Sequence, residues 1–326
     1  MNKKQAWEQY PLIKNELKQV NQCIEQTIST PHLELQEALR AMANNGGKYL
    51  RPSLLILAAK IAGQINEQVI HLASSIEILH MATLIHDDII DDADERRGKV
   101  SIQSRFGKDT AVYAGDLLFT DFFDLMLNTD LDHEYMVKNA RTMTKILNGE
   151  LNQMADRFNV EQTFDNYLEN IKGKTAALFK LAAEEGAYYG GGNSKMVATL
   201  AAFGENLGIA FQMIDDILDY TGAHTLNKPV LEDVATGVYS LPLLLALNVP
   251  DLKEKLTPLL NKKLEMTKDD LLQVQKIILN SSAIKQSHII ARKYTQMAID
   301  QLDLLPNSPA RKILKQLTSQ LLDRTR

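Results

Sequence analysis

Apolar residues recur at three- and four-residue spacing along most of the chain, which places them on one face of an α-helix. Nine prolines and sixteen glycines interrupt this pattern, and alternating strand-like patterns are nearly absent. The spacing predicts helices over 33–44, 51–63, 66–92, 109–127, 131–157, 164–189, 194–220, 239–248, 268–279, 282–304 and 309–324. Loops are predicted over 93–101, 221–237 and 249–253. We therefore expect an all-α protein.

The organisation of the chain is simple at the level of sequence. No repeat period, low-complexity run or domain linker interrupts the 326 residues, of which 45% are hydrophobic. This length and composition are enough to bury a large core. We expect a single helical domain over residues 1–326.

Composition excludes several classes of function. The net charge of -5 disfavours nucleic acid as a partner, because nucleic-acid-binding domains usually carry a basic excess. With one cysteine, Cys23, no intrachain disulfide can form, and a structural zinc site is disfavoured. The first residues lack the apolar run of a secretory signal, and no run of eighteen uncharged apolar residues predicts a membrane span. The cytoplasm is the expected compartment.

Two acidic clusters carry the candidate chemistry. Asp87, Asp88 and Asp91 form the first acidic cluster, within LHMATLIHDDIIDDADERRG. The second acidic cluster, Asp215, Asp216 and Asp219 within GIAFQMIDDILDYTG, repeats the same i, i+1, i+4 spacing. Each continues an apolar helix, where crowded carboxylates are unfavourable unless a cation compensates them. A solvated acidic helix end is the alternative for one cluster, but the repetition favours Mg²⁺, which prefers oxygen ligands and substrate phosphates.

Basic residues and glycines accompany these clusters and complete a candidate diphosphate site. Arginine can bind phosphate oxygens in bidentate fashion, and lysine acts as a point charge. Each of these side chains alone would be interpreted as a surface charge or a core residue. Together the candidates are Lys48, Arg51, Arg96, Arg97, Lys174, Thr175 and Lys228, with His80 and Gln212 as weaker ones. His86 is interpreted as structural. No nucleophile–base pair or glycine-rich nucleotide loop stands out, so we expect metal-driven chemistry beside an apolar cavity.

The motifs resemble those of the trans-type polyprenyl diphosphate synthases, from about Leu33 to the C-terminus. The matching segments are GGKYLRP, HDDIIDDADERRG, KTAALF, FQMIDDILDY and NKP, in the family's order. The resemblance implies a single-domain helical bundle of the isoprenoid-synthase type around a deep central cavity. It also implies a prenyltransferase that joins isopentenyl diphosphate to an allylic diphosphate.

Residue roles follow from the same resemblance. Asp87 and Asp91, with Asp88 nearby, are expected to bind two Mg²⁺ ions, and the second acidic cluster is expected to help hold a third. The allylic diphosphate is expected to contact Arg96, Lys174, Thr175, Gln212 and Lys228. Isopentenyl diphosphate is expected to contact Lys48, Arg51, His80 and Arg97. Three positions depart from the family pattern and put single contacts in doubt: Tyr49 for a basic residue, Asn227 for a glycine and Val238 for a lysine.

Product length is expected to depend on the residues before the first acidic cluster. Ala82 and Thr83 are small where an aromatic residue closes the tunnel in short-chain members, and Leu79 lies two turns before Asp87. This predicts a product of about twenty carbons or longer, since one helical turn spans roughly one isoprene unit. Close helix packing is an alternative reason for the small residues.

Two other functions stay open at the level of sequence. A terpene cyclase of the same fold would share the first acidic cluster, although Asp215–Asp219 and the Lys48 and Arg51 motif disfavour it. The chain could also be the catalytic subunit of a heteromeric hexaprenyl or heptaprenyl diphosphate synthase with a small partner. Otherwise, a homodimer is the expected assembly.

Overall fold

The computed structural model describes residues 11–46, 49–96, 98–222 and 231–323 and consists almost entirely of helices. Sixteen α-helices occur in these ranges, in the following order. The first eight are α1 Lys14–Thr27, α2 Leu33–Gly46, α3 Leu50–Ala62, α4 Glu67–Ile90, α5 Ile102–Phe106, α6 Lys108–Leu127, α7 His133–Ala155 and α8 Phe164–Ile171. The others are α9 Ala177–Tyr189, α10 Ser194–Thr221, α11 Glu232–Ala235, α12 Leu241–Leu247, α13 Pro250–Leu260, α14 Lys268–Leu279, α15 Ala283–Asp303 and α16 Pro309–Asp323.

The all-α prediction is confirmed, and the differences are two helices that were not predicted, α1 and α13, together with short elements and boundaries. The range predicted as one helix over 164–189 is two α-helices joined by a π-helical turn, Lys172–Ala176. The predicted loop over 249–253 is wrong, because Pro250 begins α13, a position that suits its fixed φ and missing N–H. The loop predicted over 93–101 contains a small hairpin in which β1, Glu95–Arg96, pairs antiparallel with β2, Lys99–Val100.

The chain divides into two compact units. The single domain expected over residues 1–326 stays a prediction. The first unit comprises residues 1–138, 182–200 and 305–312. In it, α4 packs along α6 and also against α1 and α3. The Asn66 side chain caps the start of α4 by accepting a hydrogen bond from the Val69 N–H at 2.9 Å. The helix runs from there to the first acidic cluster, with most side chains between buried.

The second unit comprises residues 139–181, 201–304 and 313–326 and has its own apolar core. Ile209, Met213 and Ile217 on α10 pack with α12 and with Leu256 of α13. Burial of each such side chain contributes about 1.5–3 kcal/mol relative to leaving it exposed. This core fixes the face of α10 opposite Asp215, which is exposed.

Two helices, α4 and α10, are long and apolar enough to cross a membrane by length and composition alone. About 72% of the most apolar window of α4 and 67% of that of α10 is nevertheless buried by protein. Such burial is typical of core helices, so their apolar character is explained by packing.

Candidate active site

The first acidic cluster lies where α4 ends. Asp87 is half-buried, Asp88 is buried and Asp91 is exposed as the C-cap, where its N–H donates to the Asp87 carbonyl at 2.9 Å. The change in exposure follows from helix geometry, because neighbouring residues point about 100° apart. The two positions predicted to share a face, Asp87 and Asp91, are therefore the two whose carboxylates are not enclosed.

Asp88 makes an ion pair with Arg96. The Arg96 guanidinium donates from Nε to Asp88 Oδ1 at 2.6 Å, and its terminal nitrogen also contacts this oxygen. The hairpin formed by β1 and β2 brings Arg96 back to the helix, with Gly98 in its turn at φ +73°. Asp88 was predicted to bind metal and Arg96 the allylic diphosphate, and here the two side chains bind each other.

The second acidic cluster contains three different carboxylates. Asp215 is exposed, whereas Asp216 is only 4% exposed. Asp216 Oδ2 accepts a hydrogen bond from the Tyr167 hydroxyl at 2.6 Å, and Oδ1 accepts from Gln212 Nε2 at 2.9 Å. The Thr175 hydroxyl donates to Gln212 Oε1 at 2.7 Å. The structure therefore joins three of the predicted residues, Thr175, Gln212 and Asp216, in one buried hydrogen-bond network.

Asp219 differs from Asp216 because its buried Oδ2 atom has no hydrogen-bond donor among the described residues. Burial, together with the nearby charges of Glu232 and Asp216, raises the pKa of Asp219 to about 6. Burial likewise raises the pKa of Asp216 to about 6, although the Tyr167 and Gln212 hydrogen bonds oppose it. A carboxylate with an unsatisfied buried oxygen beside other carboxylates is a favourable position for a cation.

The π-helical turn Lys172–Ala176 presents Lys174 and Thr175, and such turns occur frequently at functional sites. Two glycines allow α7 to approach this turn closely. A Cβ atom on Gly173 would lie 2.7 Å from the Lys145 carbonyl, and one on Gly149 would lie 2.4 Å from the Lys174 nitrogen. The local sequence thus requires glycine at both contact points.

Lys174 is held by two side chains of α7. Its ammonium donates to Glu150 at 3.1 Å and to Gln153 at 2.9 Å. Both lie on one face of α7, because residues three apart in a helix are neighbours. A lysine fixed in this way needs little reorganisation to contact a phosphate.

A small cavity of about 40 Å³ lies beside this network and is lined mainly by polar groups. Asp216, Lys174 and Asp233 line it, together with Val238 where a lysine was expected from the family pattern. Burial and the charges of Asp216 and Asp219 raise the pKa of Asp233 well above its usual range, while Lys174 opposes the shift. The volume suits a few water molecules and is too small for a prenyl chain.

Several other predicted residues lie in the first unit or outside the described residues. Arg51 and His80 are half-buried on α3 and α4. Tyr49 is 1% exposed and donates from its hydroxyl to Asn21 Oδ1 at 2.8 Å, so its side chain faces α1. Four residues with predicted or doubtful roles lie outside the described residues: Lys48, Arg97, Asn227 and Lys228.

The residues predicted to set product length lie along α4. Leu79 and Ala82 are buried, with Ala82 fully enclosed. Thr83 is half-buried and donates from its hydroxyl to the His80 carbonyl at 2.8 Å. Their role in product length stays a prediction.

The carboxylates of the two acidic clusters suit Mg²⁺ that binds together with a diphosphate. Among the described residues, no three histidine, cysteine, aspartate or glutamate side chains are grouped as a preformed metal site. Mg²⁺ usually takes one or two carboxylates and completes its shell with water and substrate phosphates. The exposed Asp91 and Asp215 and the unsatisfied oxygen of Asp219 are carboxylates of this kind.

Four residues around Lys174 and Asp216 were not predicted from the sequence: Glu150, Gln153, Tyr167 and Asp233. The i, i+3 spacing of Glu150 and Gln153 after Gly149 could have indicated a polar face on α7. Tyr167 carries no such indication, because a tyrosine at helical spacing resembles any core aromatic residue.

Comparisons with known proteins identify related sequences. Residues 32–278 match the model of the family described as polyprenyl synthetase. The chain is 33% identical over 308 residues to heptaprenyl diphosphate synthase component 2 of Bacillus subtilis, covering 94% of this chain and 87% of that protein.

Solved structures give the same picture for the fold. The crystal structure of geranylgeranyl pyrophosphate synthase from Lactobacillus brevis superposes with a TM-score of 0.92 at 38% identity, covering 98% of this chain and 99% of the other. A polyprenyl synthase from Caulobacter crescentus, in complex with calcium and isoprenyl diphosphate, has a TM-score of 0.89 at 32% identity, and each chain is covered completely, at 100%.

Proposed function

Because the chain belongs to the polyprenyl synthetase family, we propose that it joins isopentenyl diphosphate to farnesyl or geranyl diphosphate and so lengthens an all-trans prenyl chain. It is an enzyme that transfers prenyl groups. One observation in particular supports this reaction: a buried hydrogen-bond network fixes Thr175, Gln212 and Asp216 beside the exposed carboxylate of Asp215. A rigid polar site of this kind suits the binding of a charged leaving group.

Mg²⁺ is the metal expected for this family, and we assign its ligands from exposure and hydrogen bonding. The proposed ligands are Asp87 and Asp91 in the first acidic cluster, with Asp215 and Asp219 in the second. Asp88 and Asp216 are engaged with Arg96 and Tyr167, so we propose that they orient the clusters. Three ions remain the proposed number. When bound, Mg²⁺ supplies positive charge that stabilises the departing diphosphate.

The side chains of the protein hold the substrates and place their charges. Lys174, Thr175 and Gln212, with Arg96 and Lys228, are proposed to contact the allylic diphosphate. Lys48, Arg51, His80 and Arg97 are proposed to hold isopentenyl diphosphate. The contact of Arg96 requires it to share its donors between Asp88 and a phosphate, which five guanidinium N–H groups allow.

The reaction breaks one bond and forms another without a protein nucleophile. The allylic C–O bond ionises, and its electron pair leaves with pyrophosphate. The double bond of isopentenyl diphosphate then attacks the allylic cation to form the new C–C bond. The proton that is lost passes to the released pyrophosphate. Water must be excluded from the site during this step, because it would quench the cation.

The product is proposed to have about twenty carbons or more, since Ala82 and Thr83 leave the α4 face without a large side chain. We further propose that the enzyme works in the cytoplasm as a homodimer. Apolar residues exposed on α6, namely Tyr113, Phe123 and Leu127, offer a surface for a second copy. A small second subunit is the alternative partner, as the word "component" in the name of the Bacillus subtilis relative suggests.

Product analysis tests the proposal. The purified chain is incubated with labelled isopentenyl diphosphate, farnesyl diphosphate and Mg²⁺, and the products are separated before and after phosphatase treatment. A longer prenyl diphosphate is expected. A hydrocarbon from the allylic substrate alone would instead indicate a terpene cyclase, and turnover only after addition of a second protein would indicate a heteromer.

A further inference from the structure

The ring of His86 occupies a notch on α6 that exists because residue 115 is glycine. A Cβ atom at Gly115 would lie 2.4 Å from His86 Nε2 and 2.7 Å from its Cδ2 atom. No side chain other than glycine leaves room for the ring in this position. The Phe119 ring, with its centroid 5.3 Å away, flanks the imidazole.

Polar groups of α6 surround the same ring nitrogen. His86 Nε2 lies 3.3 Å from Asp116 Oδ1 and 3.4 Å from the Val112 carbonyl oxygen. Because both neighbours are acceptors, the geometry assigns the proton to Nε2, which then donates. The imidazole therefore fits α6 both in shape and in hydrogen bonding.

His86 directly precedes Asp87 and Asp88 in the last turn of α4. A side chain fixed at one position of a helix fixes the direction of its neighbours, because successive residues are rotated by about 100°. Asp88 is tied to Arg96 on the hairpin, so the last turn is held at two points. Between them, Asp87 has little freedom to rotate about the helix axis.

We propose that His86 is a positioning residue for the first acidic cluster. Its ring, seated on Gly115, holds the end of α4 so that Asp87 and Asp91 are directed toward Mg²⁺ and diphosphate. This inference rests on the proposed function, and it gives a role to a histidine that the sequence pattern presented as structural. A displacement of about 1 Å at a catalytic group can reduce the rate by about a hundredfold, so a contact that sets this direction has a measurable effect.

A matched pair of substitutions separates positioning from packing. Gln places its amide nitrogen near the position of His Nε2, whereas Asn places it near that of Nδ1. His86→Gln should therefore keep the contact with Asp116 and Val112, and His86→Asn should lose it. Mn²⁺ binding in the presence of pyrophosphate is measured by electron paramagnetic resonance of the free ion. This readout does not depend on turnover.

For His86→Asn we expect Mn²⁺ binding to weaken about tenfold and kcat/KM to fall by about the same factor or more, with an unchanged fold by circular dichroism. For His86→Gln both quantities should stay within about threefold of the wild type. Equal Mn²⁺ binding by the wild type and His86→Asn would overturn the inference. Failure of the wild type to condense its substrates would instead refute the proposed function, and these two results are distinguishable.

The notch itself is tested by Gly115→Ala alone and in combination with His86→Ala. The single change should displace the ring and weaken Mn²⁺ binding, whereas in the His86→Ala background it should have little further effect. Gly186→Ala is the control, because its Cβ would lie 2.1 Å from the Leu55 carbonyl in a different helix contact. It should lower the melting temperature without weakening Mn²⁺ binding. Additive effects of the two changes on Mn²⁺ binding would contradict the proposal that the His86 ring acts through its contact with Gly115.

Discussion

At the scale of single residues, two equally spaced acidic clusters contain carboxylates in very different surroundings. Asp216 is enclosed and bonded to Tyr167 and Gln212, whereas Asp215, its neighbour in sequence, is exposed. Asp88 and Asp87 differ in a similar way, because only Asp88 is buried. In each cluster the second aspartate therefore fixes the helix, and the first faces outward.

Tyr167→Phe should reduce the free energy of unfolding by about 1–3 kcal/mol, because the buried Asp216 carboxylate loses a donor. Activity should fall as well, since Gln212 and Thr175 belong to the same network. Urea unfolding and steady-state kinetics measure the two effects. Tyr294→Phe is the matched control, because the Tyr294 hydroxyl makes no hydrogen bond with any described residue, and it should change neither quantity. Unchanged stability of Tyr167→Phe would contradict the assigned bond.

The stability of the protein should depend on pH through Asp121 on α6. Burial, with the Asp124 charge nearby, raises its pKa to about 6, and no described residue donates a hydrogen bond to its buried Oδ2 atom. Between the unfolded and folded pKa values the folded state binds more protons, so this carboxyl destabilises the fold as pH rises through about 4 to 6.

Asp121→Asn should therefore be more stable than the wild type at pH 7, by on the order of 1 kcal/mol after allowance for solvent screening. This advantage should disappear near pH 4, as urea unfolding at a series of pH values will measure. Asp124→Asn, an exposed neighbour on the same helix, should give a smaller gain. An advantage independent of pH would show that Asp121 titrates normally.

At the scale of elements, long helices were predictable and short or irregular ones were not. Periodicity located α4 and α10 to within a few residues, because each has an unbroken apolar face. Helix α1 was missed although Leu17, Val20 and Ile24 follow helical spacing and are fully buried. The helix was not predicted because polar residues predominate between these apolar positions, although the apolar spacing itself is helical.

Periodicity did not predict the π-helical turn, because the apolar residues on both sides of it were interpreted as one continuous helix. The turn lies where Gly149 of α7 closely approaches Gly173. The ion pairs of Lys174 and the network of Asp216 likewise depend on residues far apart in sequence. The acidic clusters were readable from spacing, but their supporting residues were not.

Gly173→Ala should lower kcat more than tenfold, because the added methyl group would lie 2.7 Å from the Lys145 carbonyl and displace Lys174 and Thr175. Gly190→Ala makes an equally close contact, 2.6 Å from the Ala59 Cα atom, in another helix pair. Both variants should lose thermal stability, and only Gly173→Ala should lose activity at a temperature where both are folded. Equal activities would show that the turn does not place Lys174.

At the scale of the whole molecule, the family match, the helical fold and the polar network all point to one prenyl transfer reaction. Product length is the property that distinguishes such enzymes from one another, and here it is proposed to depend on α4. Ala82 is fully enclosed, so a large residue there must either fill the tunnel or strain the core.

Ala82→Phe and Thr83→Phe should both shorten the main product, and Thr83→Phe should do so with less loss of stability because Thr83 is only half-buried. Product analysis by chromatography, with melting temperatures in parallel, checks this expectation. An unchanged product length in a folded Ala82→Phe variant would remove α4 from the tunnel wall.

The most direct test of the central proposal is the turnover of Asp87→Asn and Asp215→Asn at saturating Mg²⁺, with labelled isopentenyl diphosphate and farnesyl diphosphate. Asp269→Asn, in the first turn of α14, serves as the control. If both acidic clusters act through Mg²⁺ on one diphosphate, each of the two variants should lose at least about a hundredfold in kcat while the control keeps its activity. Near-normal turnover by either of the two variants would contradict the proposed mechanism.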